Sequence, residues 1–440
     1  MGAKTSSRGS VMRAVNFEDL PLNKTHLRIG FSGIGGQFCD GFILGIIGIT
    51  MILAQRSLDL DSWWLGAIGA ASLLGLFFGS LIFGFIADKI GRKPIFVCTM
   101  PLFALISVAQ FFVGSAFELF ILRLILGLVL GADYVVGISL VNELTPKKYR
   151  GRLLSAMMIG WVGGYALAYV VGYGMQNLGD EAWRYILLSS ALPSFVVALF
   201  RFNCPSSPYF LIKQGKIQEA KEVLERYFGA NVILPEKEEE QKSSRYFDLF
   251  SSKWLKNTLV GIVFYGAQVI PYFAISTFIP IILKVLNVED PYLGGIVYNI
   301  FLFIGSVLGF YIITKISRRL FLVGSFYALA LIMIILASFT GTLPSFAVII
   351  LISLFSCILA GAGVLEFAYT PELFPTALRA SGVGLVIACS RISGALGTFF
   401  LPVITESFSI ELALWVVFAT VLFAGIFCQI FAPETQRGSN

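Results

Sequence analysis

Twelve apolar stretches recur between residues 28 and 432, with short charged breaks between them. Each is close to the about 20 residues that cross roughly 30 Å of hydrocarbon. They run over 28–53, 62–86, 95–114, 119–141, 153–174 and 184–202, then 257–283, 292–314, 320–341, 345–370, 380–403 and 412–432. None shows the alternation of a barrel strand, so the chain reads as an all-α membrane protein with twelve transmembrane helices. Charged residues are only 13% of the sequence and mean hydropathy is +0.84, whereas soluble domains carry roughly 25% charge. The first 25 residues contain no apolar core, so no cleavable signal peptide is expected, and Met1-Gly2 with Ser6 fits the short myristoylation pattern.

Basic residues of short loops collect on the cytoplasmic side of a membrane protein. With the N-terminus inside, 27 of the 32 Lys and Arg residues fall on one side, ten of them in the central segment. Only Arg56, Arg184 and Lys284 fall on the other, and Arg123 and Arg391 lie within spans. Both termini are therefore expected in the cytoplasm, in a plasma or bacterial inner membrane. The net charge of +6 is accounted for by loops facing an anionic leaflet and implies no nucleic-acid partner. Five of the six cysteines lie in apolar spans, and no metal-ligand or disulfide spacing occurs, so no metal or cofactor is expected.

The chain divides into a tail (1–27), six spans (28–202), a linker (203–256), six more spans (257–432) and a short tail (433–440). The linker carries an amphipathic pattern ending at Gly229 and then the charged run PEKEEEQKSS. Across it the halves repeat. NELTPKKYR (142–150) is echoed by PELFPTALR (371–379), so that Glu143 and Arg150 recur 229 residues later as Glu372 and Arg379. FIADKIGRK (85–93) is echoed by IITKISRR (312–319), with Thr314 at the position of Asp88 and Arg318 at that of Arg92. Two six-helix halves in the same orientation, related by an axis along the membrane normal, form a transporter architecture with its site between the halves.

These residues resemble the Major Facilitator Superfamily over nearly the whole chain, near its sugar-porter and metabolite/proton symporter branches. GFIADKIGRK is similar to the superfamily's Gly-x-x-x-Asp-x-x-Gly-Arg-[Lys/Arg] loop at Gly84, Asp88, Gly91, Arg92 and Lys93, and GADY (131–134) resembles the Gly-Gly-Asp-Tyr of phosphate/proton symporters. PETQR (433–437) resembles a sugar-porter C-terminal motif, while PSSPYFL (205–211) departs from Pro-Glu-Ser-Pro-Arg by placing Ser206 and Tyr209 where a charge pair would stand. The resemblance implies the twelve-helix fold, alternating access, and a cytoplasmic gate of ion pairs formed by Asp88, Arg92, Glu143, Arg150, Glu372, Arg379 and Glu434. Read from chemistry alone, the same residues are surface ion pairs worth about 0 to 1 kcal/mol each.

Charge inside the membrane is costly and faces the bundle interior. Asp40, Asp133, Glu366 and Arg391 qualify, whereas Arg123 and Glu118 read as structural residues near the outer boundary that snorkel to water. The only histidine, His26, lies in the cytoplasmic tail, so proton coupling falls to carboxylates, with Asp40 and Asp133 as the leading pair. Arg391 either neutralises one of them or binds an anionic substrate group. Tyr134, Trp161, Gln268, Tyr272, Glu366 and Arg391 form the expected substrate pocket, moderately apolar with a few polar groups. Against the sugar porters, Met158 and Phe273 stand where amides would align, and Val269 replaces a phosphate-symporter Asp. The expected function is proton-coupled symport of a small organic metabolite by a monomer in the lipid bilayer. The alternatives are a sugar or phosphate carrier, an uncoupled facilitator, or a nutrient sensor that no longer transports. No nucleophile-base spacing points to an enzyme.

Overall fold

The computed structural model describes residues 15–229, 232–233 and 246–435. The Met-Gly pattern, the charged run at 235–244 and Arg437 lie outside the described residues.

Among the described residues, twelve helices are long and apolar enough to cross a membrane. In the first half these are α1 (Lys24–Ser57), α2 (Ser62–Ile90), α3 (Arg92–Phe111), α4 (Ala116–Glu143) and α5 (Lys147–Met175), followed by α6 (Ala182–Ser189) and α7 (Ala191–Arg201), which form the sixth crossing with a break at Ser190. In the linker, α8 (Pro208–Lys213) and α9 (Ile217–Tyr227) replace the single amphipathic helix expected there. Gly215, at φ +76°, turns the chain between them, a conformation open to glycine at little cost. The second half has α10 (Leu255–Val285), α11 (Pro291–Ile312), α12 (Arg318–Ser338), α13 (Ser345–Glu372), α14 (Thr376–Ser407) and α15 (Ile410–Phe431).

Local sequence sets the helix ends. Asp61, Ser115, Asp290, Ser317 and Ser409 each accept a backbone N–H from the first turn of the helix that follows. Gly91, at φ +88°, ends α2 and starts α3 with no intervening loop. His26 belongs to the first turn of α1, where its Nδ1 accepts the N–H of Asn23 and its own N–H donates to Asn23 Oδ1. Helix α10 kinks at Phe278, two residues before Pro280.

The same pairings build both halves. Helix α2 packs on α4, α1 on α5, and α3 on α6 and α7; α11 packs on α13, α10 on α14, and α12 on α15. One close joint is made of a glycine written twice, 230 residues apart. A Cβ at Gly79 would stand 2.1 Å from the Leu128 carbonyl of α4, and one at Gly309 would stand 2.1 Å from the Gly361 carbonyl of α13. The halves meet along α2 with α14, α5 with α11, and α1 with α10. On the termini-bearing face, β1 (Val15–Asn16) pairs in parallel with β2 (Val232–Ile233). Phe17 is fully buried there against His26, Tyr209 and Phe228.

Candidate functional site

A cavity lies between the halves. Four helices present one stripe each, at the three- and four-residue spacing of a helix face: Gln37, Asp40 and Leu44 on α1; Met158, Trp161 and Val162 on α5; Val269, Tyr272 and Phe273 on α10; Ala360, Gly363, Glu366 and Phe367 on α13. Leu76, Tyr134 and Arg391 complete the wall. Five of the six expected substrate residues therefore share one cavity. The sixth, Gln268, is buried beside it on α10, with neither its amide nitrogen nor its oxygen partnered among the described residues.

Asp40 is 2% exposed. Its Oδ2 accepts the Gln37 amide at 3.2 Å, and its Oδ1 has no partner among the described residues. Gln37, one turn before Asp40 in GGQFCD, was not among the expected site residues; its spacing from Asp40 was the available signal. Arg391 is 8% exposed, with its guanidinium 5.5 Å above the Tyr134 ring and its Nε without an acceptor. The wall around them is aromatic. Trp161 lies 6.0 Å from Tyr272 and 6.3 Å edge-on to Phe273, and it stacks at 5.6 Å on Tyr165 behind.

Asp133 does not line this cavity. Its carboxylate is held by both terminal nitrogens of Arg201, with Nη2 to Oδ2 at 3.0 Å, and Thr99 Oγ1 donates to it at 2.5 Å. Arg201 is fully buried, lies 3.8 Å over the Phe96 ring and also donates to the Phe96 carbonyl at 3.0 Å. Charge counting assigns Arg201 to the cytoplasmic linker; the structure instead draws it inside, because the carboxylate of Asp133 needs a counter-charge there. Arg123 is a second correction. It does not snorkel but is 1% exposed, and both of its terminal nitrogens donate to the Ile43 carbonyl at 3.2 Å.

Ion pairs gather on the termini-bearing face. Arg92, opening α3, pairs with Glu143, closing α4, at 2.6 Å; Arg318, opening α12, pairs with Glu372, closing α13, at 3.5 Å. The repeated sequence thus makes the same joint twice. Around the second copy, Thr435 donates to Glu372, Glu434 accepts the Arg319 N–H at 3.2 Å, and Arg379 donates to the Pro371 carbonyl at 3.1 Å. Arg150 reaches outside the repeat, to both carboxylate oxygens of Glu18 at 3.1 Å. Glu18 also accepts the Tyr209 hydroxyl at 3.0 Å. Burial and that neighbouring carboxylate push the Tyr209 phenol above its ordinary range, so it stays a donor. Asp88 is exposed on a depression it shares with Arg92 and Gly384.

The halves are closed at one end and parted at the other. Beyond the cavity, away from the termini, a Cβ at Gly66 of α2 would stand 2.4 Å from the Phe399 carbonyl of α14. One at Gly48 of α1 would stand 2.7 Å from the Thr277 carbonyl of α10, and one at Gly295 of α11 would stand 2.2 Å from the Tyr169 hydroxyl of α5. Toward the termini the same α2 and α14 have separated, and Cβ atoms at Gly84 and Gly384 would meet nothing within 4 Å. A wider cleft opens from the cavity on that side, walled by Ile138, Leu154 and Ser155 in one half and by Phe310, Ile313 and Ala368 in the other.

Residues 33–439 match the sequence family described as sugar (and other) transporter. The chain is 37% identical to the inner membrane metabolite transport protein YgcS of Escherichia coli K12, over 96% of this chain and 94% of that one. It is 34% identical to the putative metabolite transport protein YaaU of the same strain, over 96% and 95%. In fold it resembles the partially occluded inward-open conformation of the E. coli xylose transporter XylE, with a TM-score of 0.80 at 18% identity, covering 95% of this chain and 100% of that one. This is a multi-pass integral membrane protein, and the chain belongs to the sugar (and other) transporter family of the Major Facilitator Superfamily.

Proposed function

We propose that the protein is a proton-coupled secondary transporter that moves a small organic metabolite across the cell membrane, with Asp40 as the group that takes the proton. The observation that carries this reading is a 2% exposed carboxylate with one unpartnered oxygen on the wall of a cavity between two halves. A buried carboxylate without a counter-ion is costly, and a proton removes that cost. Opened first to one side and then to the other, such a group takes H⁺ and releases it. One charge moving through about 100 mV supplies roughly 2.3 kcal/mol. The names of the two E. coli relatives support a metabolite as the cargo.

In this reading the six-helix bodies 28–202 and 257–432 rock about the cavity, joined by the linker at 203–256. The termini-bearing face is cytoplasmic, by its excess of Lys and Arg. The Arg92–Glu143 and Arg318–Glu372 pairs stiffen that face within each body. Asp133, its charge matched by Arg201, anchors the first body rather than carrying a second proton. The unit is a monomer that performs no covalent chemistry. In proteoliposomes, substrate should drive alkalinisation of the compartment it leaves. Asp40→Asn should abolish that signal and keep substrate exchange across the bilayer. Alkalinisation that survives in Asp40→Asn would reject the coupling assignment in favour of another carboxylate.

A further inference from the structure

The cavity holds two charges of opposite sign that do not pair with each other. Arg391 and Glu366 line the same wall, yet neither forms an ion pair within 4.0 Å among the described residues. Elsewhere in the protein a buried arginine is matched: Arg201 has Asp133, and Arg123 has the Ile43 carbonyl. Arg391, 8% exposed, instead lines the cavity, with no carboxylate within 4.0 Å of it among the described residues. An unmatched buried charge is costly, and a ligand that brings its counter-charge recovers that cost.

We infer that the ligand of this cavity is a small zwitterion with a flat apolar body, its carboxylate on Arg391, its protonated nitrogen toward Glu366 and its body against Trp161 and Tyr272. This rests on the transport reading above and names its cargo class. Charge balance selects it. With Asp40 protonated in the loaded state, Glu366 and Arg391 sum to zero, and a zwitterion leaves the sum at zero. A simple anion or cation would add one unbalanced charge to a low-dielectric site. The apolar part of the wall selects the body, since Trp161, Tyr272, Phe273 and Tyr134 offer ring faces. Met158, Val269 and Phe273 offer no hydrogen bonds, so the charged contacts of the wall gather at Glu366 and Arg391.

The test uses purified full-length protein and matched probes: L-phenylalanine and L-tryptophan, which carry both charges; 3-phenylpropionate, anionic only; 2-phenylethylamine, cationic only; and D-xylose. Thermal unfolding should shift upward, saturably, with the zwitterions and not with the others. Arg391→Gln and Glu366→Gln should each weaken zwitterion binding by about tenfold or more. Glu366→Gln should newly admit 3-phenylpropionate, and Arg391→Gln should newly admit 2-phenylethylamine. That exchange of preference reads out ligand contact, which a purely structural role would not produce, and it is scored in variants whose unliganded melting temperature matches the parent. The inference is overturned if no zwitterion stabilises the protein, if the anion or the sugar stabilises it as strongly, or if the preferences do not exchange. Uptake separates it from the transport reading. A zwitterion that binds but never crosses the bilayer defeats transport and leaves the ligand class standing, whereas accumulation of xylose or phenylpropionate does the reverse.

Discussion

At the scale of single residues, the molecule turns on which buried charges have partners. Asp133 and Arg201 form a closed bidentate pair on helices α4 and α7, completed by Thr99. Removing one member leaves the other charged in a dry interior, which costs about 3 to 5 kcal/mol, while replacing both with apolar residues costs far less. Arg201→Met and Asp133→Leu alone should therefore each lower the melting temperature in detergent sharply. The double variant should recover most of the loss and retain transport, and additive losses would contradict the pairing. The sequence displays Asp133 plainly, as a carboxylate inside an apolar run. It hides Arg201, which ends such a run next to a charged linker and looks like a boundary residue. It hides Glu18 equally well, since a tail carboxylate gives no sign that Arg150 and Tyr209, 132 and 191 residues away, converge on it.

At the scale of elements, duplicated glycines set how closely helices approach. Gly79 lets α2 lie against the carbonyl of Leu128, and any side chain there collides with α4 backbone. Gly79→Leu should destabilise the protein by about 1 to 3 kcal/mol or more through overpacking. Gly84→Leu, one further turn along the same helix and with nothing within 4 Å of its Cβ, is the internal control and should leave the melting temperature nearly unchanged. Equal shifts for the two would show that helix propensity rather than close approach is being measured. These elements were legible: twelve apolar stretches gave twelve crossings, and the charged echoes marked corresponding helix ends. The break at Ser190 and the turn at Gly215 were not, because a helical period continues through a short interruption without losing its phase.

At the scale of the whole molecule, the halves touch through α2 with α14, α1 with α10 and α5 with α11, sealed away from the termini and parted toward them. A bulky residue at the seal disfavours this state, and an equilibrium between two packings moves by the difference in free energy that the residue imposes. Gly66→Trp, set 2.4 Å from the Phe399 carbonyl, should hold the sealed end apart. A cysteine placed at Ser155 in the termini-side cleft should then react with maleimide more slowly than in the parent background, and an unchanged rate would rule out the seal. The sequence by itself determined the number of crossings, the duplication and the loop motifs. These follow from apolar length and from residue identity at fixed spacing, which are local properties of the chain. Which charges meet was decided only in three dimensions. Asp133 finds Arg201, Arg150 finds Glu18, and Arg391 and Glu366 share a wall unpaired, because the crossing of helices far apart in sequence sets those distances and no periodicity encodes them.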